Sequence, residues 1–398
     1  MPEKRVTIFH PIDLLGRKIG GIETFIKNFI KYAPQEFSME FVGVTGQEGL
    51  GKVGEWREVD LYGRRVRFFP VLQVEDENVR TRVPLSLKFT LALFWYRSRI
   101  PTEGRILEFH RIETSIPFKG LDNPKVLFVH GHVMDIYNPH SEVKWARFPA
   151  LYFRLEKHLM CEFGRVYVVR EDGAEFYRKK YPALKERFHF LPTWVDVDLF
   201  FPYPPDKREK KRRELAQVYG FSPDDDLLLF VGRLEGQKDP FLLVEVFRGL
   251  VASRRDVGLI IVGTGSLEGE VKEKFKAYGI LDKVVFTGVL PQPELADLLR
   301  VCDLFIMTSA FEGMPRSVLE ALACGLPVVT TDVGEVRRVV RDGVSGLVCH
   351  SRDPEVICKA VRKVLGGGID RDKCVASIKS YTAKSVLEPV YGFYYQLA

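Results

Sequence analysis

Short apolar runs recur along the chain, and many neighbours are separated by a stretch long enough for one amphipathic helix. In the first half these runs fall at residues 5–9, 39–44, 66–69, 106–109, 126–129 and 166–169, with helix-like periodicity at 22–32, 85–99 and 143–161. The second half repeats the alternation, with apolar runs at 227–231, 259–262, 284–286, 304–307, 328–330 and 347–348. Helical patterns there cover 240–253, 267–278, 293–301, 315–324 and 354–365. Brief, continuously apolar runs suit strands that are covered on both faces. Strands alternating with helices build parallel sheets with helices on either side. The pattern predicts an α/β protein made of two doubly wound, Rossmann-like halves that face a central cleft.

The predicted junction is Phe201-Pro202-Tyr203-Pro204-Pro205. Three prolines in four residues deny the chain a helix and favour a stiff, extended connection. A first domain is thus expected over residues 1–201 and a second over 206–378. The final segment, 379–398, is expected to carry a helix near 391–397 back to the first domain. The charged run from Lys207 to Glu214 reads as a solvated helix face, because Leu215, Val218 and Tyr219 follow at helical spacing.

Composition narrows the function classes. The 398 residues are 46% hydrophobic, 28% charged and 12% aromatic, which excludes a chain that is disordered throughout. No apolar run approaches the roughly 18 residues of a membrane span. The N-terminal apolar stretch is too short for a secretion signal and neither end has a lipidation motif, so a cytoplasmic location is expected. The formal charge of +6 is mild for this length and suits an anionic small ligand or an anionic membrane surface better than nucleic acid. None of the six cysteines forms a Cys-x-x-Cys pair, so no zinc-site spacing is present.

In doubly wound sheets ligands bind beyond the carboxyl ends of strands, so loops after strands are where chemistry is sought. Three such loops stand out. Gly20-Gly21-Ile22-Glu23 opens a helix, where paired glycines allow close backbone approach and the helix N-terminus favours negative charge. Gly232-Arg233-Leu234-Glu235-Gly236-Gln237-Lys238 places two cations just past a strand. An arginine fork and a lysine point charge can clamp a diphosphate. The third runs from Ser309 through Glu312-Gly313-Met314-Pro315 to Glu320 and Gly325. Its Pro315 suits the first helical turn, and the open N–H groups from Met314 to Ser317 suit an anion. Glu312 precedes the helix. Glu320 lies within it among Val318, Leu319, Ala321, Leu322 and Ala323, where a carboxylate needs a partner. Acidic side chains at such places can accept hydrogen bonds from sugar and ribose hydroxyls.

The Glu312-x7-Glu320 pattern, with Gly313, Pro315, Ala321-Leu322-Ala323-Cys324-Gly325 and Pro327-Val328-Val329, resembles the retaining GT-B glycosyltransferases of family 4. The likeness extends through Gly232-Arg233…Lys238, Ile261-Val262-Gly263-Thr264-Gly265, Val285-Phe286-Thr287-Gly288 and Asp342-Gly343…Gly346-Leu347-Val348. In the first half it rests on Gly20-Gly21-Ile22-Glu23 and Val129-His130-Gly131. The resemblance implies a UDP- or GDP-linked sugar donor bound mainly by the second domain. It implies a sugar, lipid-linked or small-molecule acceptor bound mainly by the first, and retention at the anomeric carbon. It puts Arg233, Lys238 and Gly21 at the donor diphosphate and Glu320 at the ribose. Glu312, Gly313, Met314 and Pro315 fall at the donor sugar, Val289 and Leu290 at the base, and His130 beside the reaction centre. His110 and His132 are left outside the catalytic set.

Two departures affect the junction and local charge. Pro192-Thr193-Trp194-Val195-Asp196 replaces the family's usual Pro-Asn-Gly-Val-Asp, and Arg338 stands where an acidic residue is common. No clear Asp-x-Asp signature of a metal-dependent transferase is read, so neither an obligatory metal nor a cofactor is expected. Three alternatives remain at this stage: a nucleotide-sugar epimerase of the same architecture, an inactive binding subunit, and a membrane-bound scaffold using the aromatic-rich stretch 85–99. That stretch also leaves open peripheral contact with the inner membrane face by an active enzyme.

Overall fold

The computed structural model describes residues 4–16, 21–46, 52–75, 83–130, 149–253 and 256–397. The chain forms two compact units, Met1–Pro192 with Val386–Ala398, and Thr193–Ser385. Both are doubly wound α/β units, as the apolar pattern predicts.

The first unit contains, in order, β1 (Lys4–Phe9), α1 (Gly21–Lys31), β2 (Phe37–Thr45), β3 (Arg57–Leu61), β4 (Arg64–Gln73) and α2 (Leu85–Tyr96). It continues with β5 (Arg105–Phe109), β6 (Lys125–Val129), α3 (Pro149–Met160), β7 (Arg165–Val168), α4 (Glu171–Lys180) and β8 (Phe188–Phe190). The sheet order is β3-β4-β2-β1-β5-β6-β7-β8. All pairings are parallel except β3 with β4, a hairpin at one edge. Its turn, Tyr62-Gly63, has positive φ at both residues, as two-residue hairpins favour. The apolar pattern did not reveal β3, because Arg57-Glu58-Val59-Asp60-Leu61 is mostly polar, as befits an edge strand. The predicted helix at 143–161 is present from Pro149; its first residues lie outside the described set.

In α2, Phe89, Thr90 and Leu93 are buried, and Phe89 and Leu93 join the core beneath the sheet. Leu87, Leu91, Phe94 and Trp95 stay exposed, Trp95 at 83%. Packing thus explains only half of the apolar character of residues 85–99.

The second unit contains α5 (Pro205–Tyr219), β9 (Asp226–Val231), α6 (Pro240–Ser253), β10 (Val257–Val262), α7 (Glu268–Ala277), β11 (Val284–Gly288) and α8 (Gln292–Val301). Next come β12 (Leu304–Met307), α9 (Arg316–Ala323), β13 (Val328–Thr331), β14 (Gly346–Cys349), α10 (Pro354–Leu365) and α11 (Arg371–Ser377). Helix α12 (Ala383–Leu397) follows, and its residues from Val386 belong to the first unit. The strands are all parallel in the order β11-β10-β9-β12-β13-β14. The inner strands β9, β10, β12 and β13 are buried on both faces, while the edge strand β11 is mostly half-buried. Leu227 and Leu229 face one core, while Leu228 and Phe230 face the other.

The proline-rich stretch is not the boundary that the sequence suggested. The units divide at Pro192, and 193–205 is fastened to the second unit. Val195 exchanges backbone hydrogen bonds with Tyr381 and Ala383, and its side chain and that of Phe200 enter the second unit's core. Arg300 donates from Nε to the carbonyl of Phe201 at 2.8 Å and from Nη2 to that of Leu199. Prolines leave carbonyls without local partners, and a buried arginine satisfies them here.

Candidate functional site

In the second unit, β9 and β12 are neighbours although the chain visits β10 and β11 between them. The strand order reverses there, and in open parallel sheets that reversal opens a crevice beyond the carboxyl ends. The loops leaving β9 and β12 hold Lys238 and Glu312, and the structure joins them. Lys238 Nζ lies 2.5 Å from Glu312 Oε1, and Ser309 Oγ donates to the same oxygen at 2.8 Å. Both side chains of the ion pair are mostly buried. The resemblance implies separate roles for the two residues; the fold makes them one charged pair across 74 positions of chain.

The loops themselves are braced. Arg352 donates from Nη1 to the carbonyl of Ser309 at 2.7 Å, and from Nη2 to Asp239 Oδ2 at 2.5 Å. Thr308 Oγ1 donates to the carbonyls of Lys238 and Asp239. Two glycines let the loops after β10 and β13 press against those after β9 and β12. A Cβ on Gly263 (φ 125°) would stand 2.1 Å from the carbonyl oxygen of Gly232, and one on Gly334 (φ 54°) 2.0 Å from that of Gly313. No larger residue fits either place.

Arg233 is exposed, with Nη2 3.5 Å from Gln237 Oε1, so its fork is held only loosely. Glu320 is buried on α9, and Arg316 Nε at 3.8 Å is its ion-pair partner. Burial pushes its carboxyl above the ordinary range, Arg316 opposes that, and Asp196 adds to it. Among the described residues no hydrogen-bond donor reaches this carboxylate, which leaves its oxygens to accept from a ligand. Pro315 is the N-cap of α9 rather than a residue of its first turn, and no side chain caps that end. Met314 sends its side chain into the core, so only its backbone can meet a ligand. Gly313 accepts from the N–H of Glu335 at 2.9 Å. Val289 is 64% exposed and Leu290 packs partly against the core. Among the described residues no three His, Cys, Asp or Glu side chains gather into a metal-holding cluster. Asp196-Val197-Asp198 does have the Asp-x-Asp spacing, but Asp196 Oδ1 accepts from the N–H of Asp198, which makes it a local turn.

In the first unit, β1 and β5 occupy the equivalent reversal. Histidines follow three adjacent strands here: His10 after β1, His110 after β5 and His130 after β6. His130 Nε2 lies 2.7 Å from His110 Nδ1, and His110 Nε2 lies 3.0 Å from Glu108 Oε1. Tyr394 of α12 donates its hydroxyl to Glu108 Oε2 at 2.5 Å. Sequence reasoning left His110 aside and did not single out Glu108 at all, although a glutamate two residues before a histidine in an apolar strand is a visible signal. Gly21 is the first residue of α1, and a Cβ there would meet nothing within 4 Å. Gly20, Gly131 and His132 lie outside the described residues.

Residues 211–381 match the family model described as glycosyl transferases group 1. A D-inositol 3-phosphate glycosyltransferase of Geodermatophilus obscurus is 33% identical over 219 residues, covering 53% of this chain and 47% of that protein. The chain spans about half the length of such relatives. A mannosylfructose-phosphate synthase of Agrobacterium fabrum is 25% identical over 352 residues, 77% of this chain and 73% of that one. Among solved structures, a sucrose-phosphate synthase from Thermosynechococcus elongatus aligns with a TM-score of 0.72 at 17% identity, covering 99% of both chains. The Anabaena HepE protein in complex with UDP and glucose aligns at 0.69 and 15% identity, covering 99% of this chain and 100% of that one. At these identities the solved structures establish the fold.

Proposed function

Residues 211–381 belong to the group 1 glycosyl transferases, and on that premise we propose that the chain transfers a sugar, with retention, from a UDP- or GDP-linked donor to a hydroxyl of a sugar, lipid-linked or small-molecule acceptor. The observation that carries this reading is the Lys238–Glu312 pair at the β9/β12 reversal, braced by Ser309 and backed by the loosely held Arg233. Relatives named as D-inositol 3-phosphate glycosyltransferases and a mannosylfructose-phosphate synthase support it, as do neighbours solved with UDP and with UDP-glucose.

In this reading Lys238 and Arg233 take the diphosphate, and Gly21 lies close to it. As the bond from the anomeric carbon to the phosphate oxygen breaks, charge grows on the diphosphate, and preplaced cations stabilise it without reorganising. The acceptor oxygen bonds to the anomeric carbon on the same face, and its proton passes to the departing phosphate oxygen. Glu312, with the backbone of Gly313, Met314 and Pro315, holds the donor sugar. Glu320 accepts from the ribose diol, Val289 and Leu290 border the base, and His130 meets the sugar near the reacting carbon. The protein's own cations are sufficient for the leaving group, so no metal or cofactor is invoked.

The test is a panel of nucleotide sugars offered with and without acceptors, with products read by mass spectrometry and anomeric configuration by NMR. One donor should yield a product heavier by one sugar residue, with one nucleoside diphosphate released. Epimerised sugar freed with no acceptor present would replace this reading by an epimerase, and no turnover of any donor would leave a binding subunit.

A second feature bears on the acceptor. No helix among the described residues is long and apolar enough to cross a membrane. The exposed Leu87, Leu91, Phe94 and Trp95 of α2 lie just before exposed Arg97 and Arg99. Apolar insertion beside basic residues suits the anionic inner face of a membrane, where a lipid-linked acceptor would be met. The chain is expected to float with vesicles containing anionic phosphatidylglycerol but not with phosphatidylcholine alone. Leu91→Glu with Trp95→Glu should abolish flotation; equal flotation of the double variant would exclude α2 as the contact.

A further inference from the structure

The family match begins at residue 211, so nothing in it accounts for the buried chain of hydrogen bonds in the first unit. We propose that Glu108 and His110 are positioning residues that decide, through this chain, whether Nδ1 of His130 presents a proton or a lone pair. The proposal rests on the reading above in one respect only, that His130 meets the donor sugar.

The constraint follows from counting protons. His110 uses both ring nitrogens, Nε2 toward Glu108 and Nδ1 toward His130. If Glu108 is a carboxylate, it must receive the Nε2 proton of His110. His110 Nδ1 then has only a lone pair and accepts the Nε2 proton of His130, and a neutral His130 is left with a bare Nδ1. If Glu108 is protonated, every donor reverses: Glu108 donates to His110 Nε2, His110 Nδ1 donates to His130 Nε2, and His130 carries its proton on Nδ1. Passing from the second state to the first releases one proton, from His130 Nδ1, while Glu108 hands its proton to His110 and His110 hands its own to His130. Nδ1 of His130 makes no hydrogen bond among the described residues, so it is the end of the chain that a ligand would meet.

The surroundings keep the rings neutral and the chain aligned. Phe128 of β6 stacks on His110 at 5.1 Å, and Phe25 of α1 meets His130 edge-on at 4.6 Å. His10 meets His110 edge-on at 5.8 Å. Burial pushes the Glu108 carboxyl up to about 8, with the Tyr394 hydroxyl opposing, and pushes His110 down to about 3. His130 is lowered by burial first, then by His110 and Arg111. Tyr391 and Tyr394 of α12 and Tyr167 of β7 face Glu108, and burial keeps these phenols protonated; Arg165 stands beside Tyr167. On α1 the buried Glu23 is two positions from Phe25 and so on a different face. Glu40, the sheet's other buried acid, hydrogen-bonds Thr7 and is paired with Arg105 and Arg67. Near neutrality Glu108 is therefore protonated and His130 is a donor, able to hold a sugar oxygen. As pH rises through about 8 the chain reverses.

The test is long-range proton–nitrogen NMR of the whole chain labelled at histidine, alongside kcat against pH. His130 should carry its proton on Nδ1 at pH 6.5 and on Nε2 above pH 9, and kcat should fall across the same interval. In Glu108→Gln the amide oxygen takes the place that accepts from the Tyr394 hydroxyl, so the amide N–H donates to His110 at every pH, the tautomer should stay fixed and the alkaline limb should vanish. Tyr394→Phe removes the contact that opposes protonation and should move the switch to higher pH. A His130 tautomer unchanged from pH 6 to 10, or an unaltered switch in both variants, would overturn the proposal. A tautomer that switches as expected while kcat ignores it would uphold the chain and refute instead the placing of His130 at the donor sugar.

Discussion

Lys238→Ala is expected to weaken nucleoside-diphosphate binding at least tenfold and to lower kcat/KM about a hundredfold. A charge-assisted hydrogen bond contributes about 1.5–3 kcal/mol, or roughly 10- to 150-fold. A second loss accompanies it, because the largely buried Glu312 would lose the ammonium beside it. Arg233→Ala should cost less, since that guanidinium is exposed and only loosely held. Lys238→Arg should restore function only in part: the pair is a compact ammonium 2.5 Å from one carboxylate oxygen, and a longer planar fork changes that geometry. Calorimetric titration with UDP and GDP, with circular dichroism to establish folding, decides these points. Unchanged affinity in a folded Arg233→Ala, Lys238→Ala double variant would remove the proposed clamp.

Glu312→Gln and Glu320→Gln are expected to fail in different ways. Glu312, proposed at the donor sugar, is tied to Lys238 and Ser309 at the strand reversal, and small misplacement of a reacting centre is costly. Its loss should cut kcat about a hundredfold. Glu320 is proposed at the ribose, remote from bond breaking, so its loss should raise KM about five- to tenfold and leave kcat nearly unchanged. Glu320 has a second signature. Its carboxyl is raised in the fold by burial, so between its ordinary range and its raised value the folded chain holds a proton that the unfolded chain has lost. Stability therefore falls as pH rises through that window, and glutamine relieves the loss. Glu320→Gln should melt higher than the parent at pH 7, with the difference vanishing as pH falls toward about 4.5. Activity lost while stability is gained would mark a residue kept for binding. Reversed kinetic effects would exchange the two roles.

The second unit was legible in the sequence because its information is local. Each strand is four to six residues built around a short apolar run, and each site loop follows one directly. Glu312 and Glu320 share a single loop and helix, so spacing alone drew attention to them. What could not be read was which loops meet. The Lys238–Glu312 contact depends on β9 and β12 pairing across two intervening strands, a fact of sheet order rather than of spacing. The histidine chain is still less local, since Glu108 and Tyr394 are 286 positions apart and a lone histidine after a strand is ordinarily just a satisfied loop residue. The domain boundary was misplaced for a related reason. Prolines marked a stiff segment correctly, but only the tertiary contacts of Arg300 and Val195 fix it to the second unit.

The loops after β9 and β12 are proposed to bind the diphosphate of a nucleotide sugar. Calorimetric titration of the intact chain with UDP and GDP, repeated on Lys238→Ala, tests this most directly. One of the two nucleotides should bind one-to-one, and its affinity should drop at least tenfold in the variant. Absence of binding by either nucleotide, or binding that Lys238→Ala leaves unaltered, would exclude a diphosphate site at these loops.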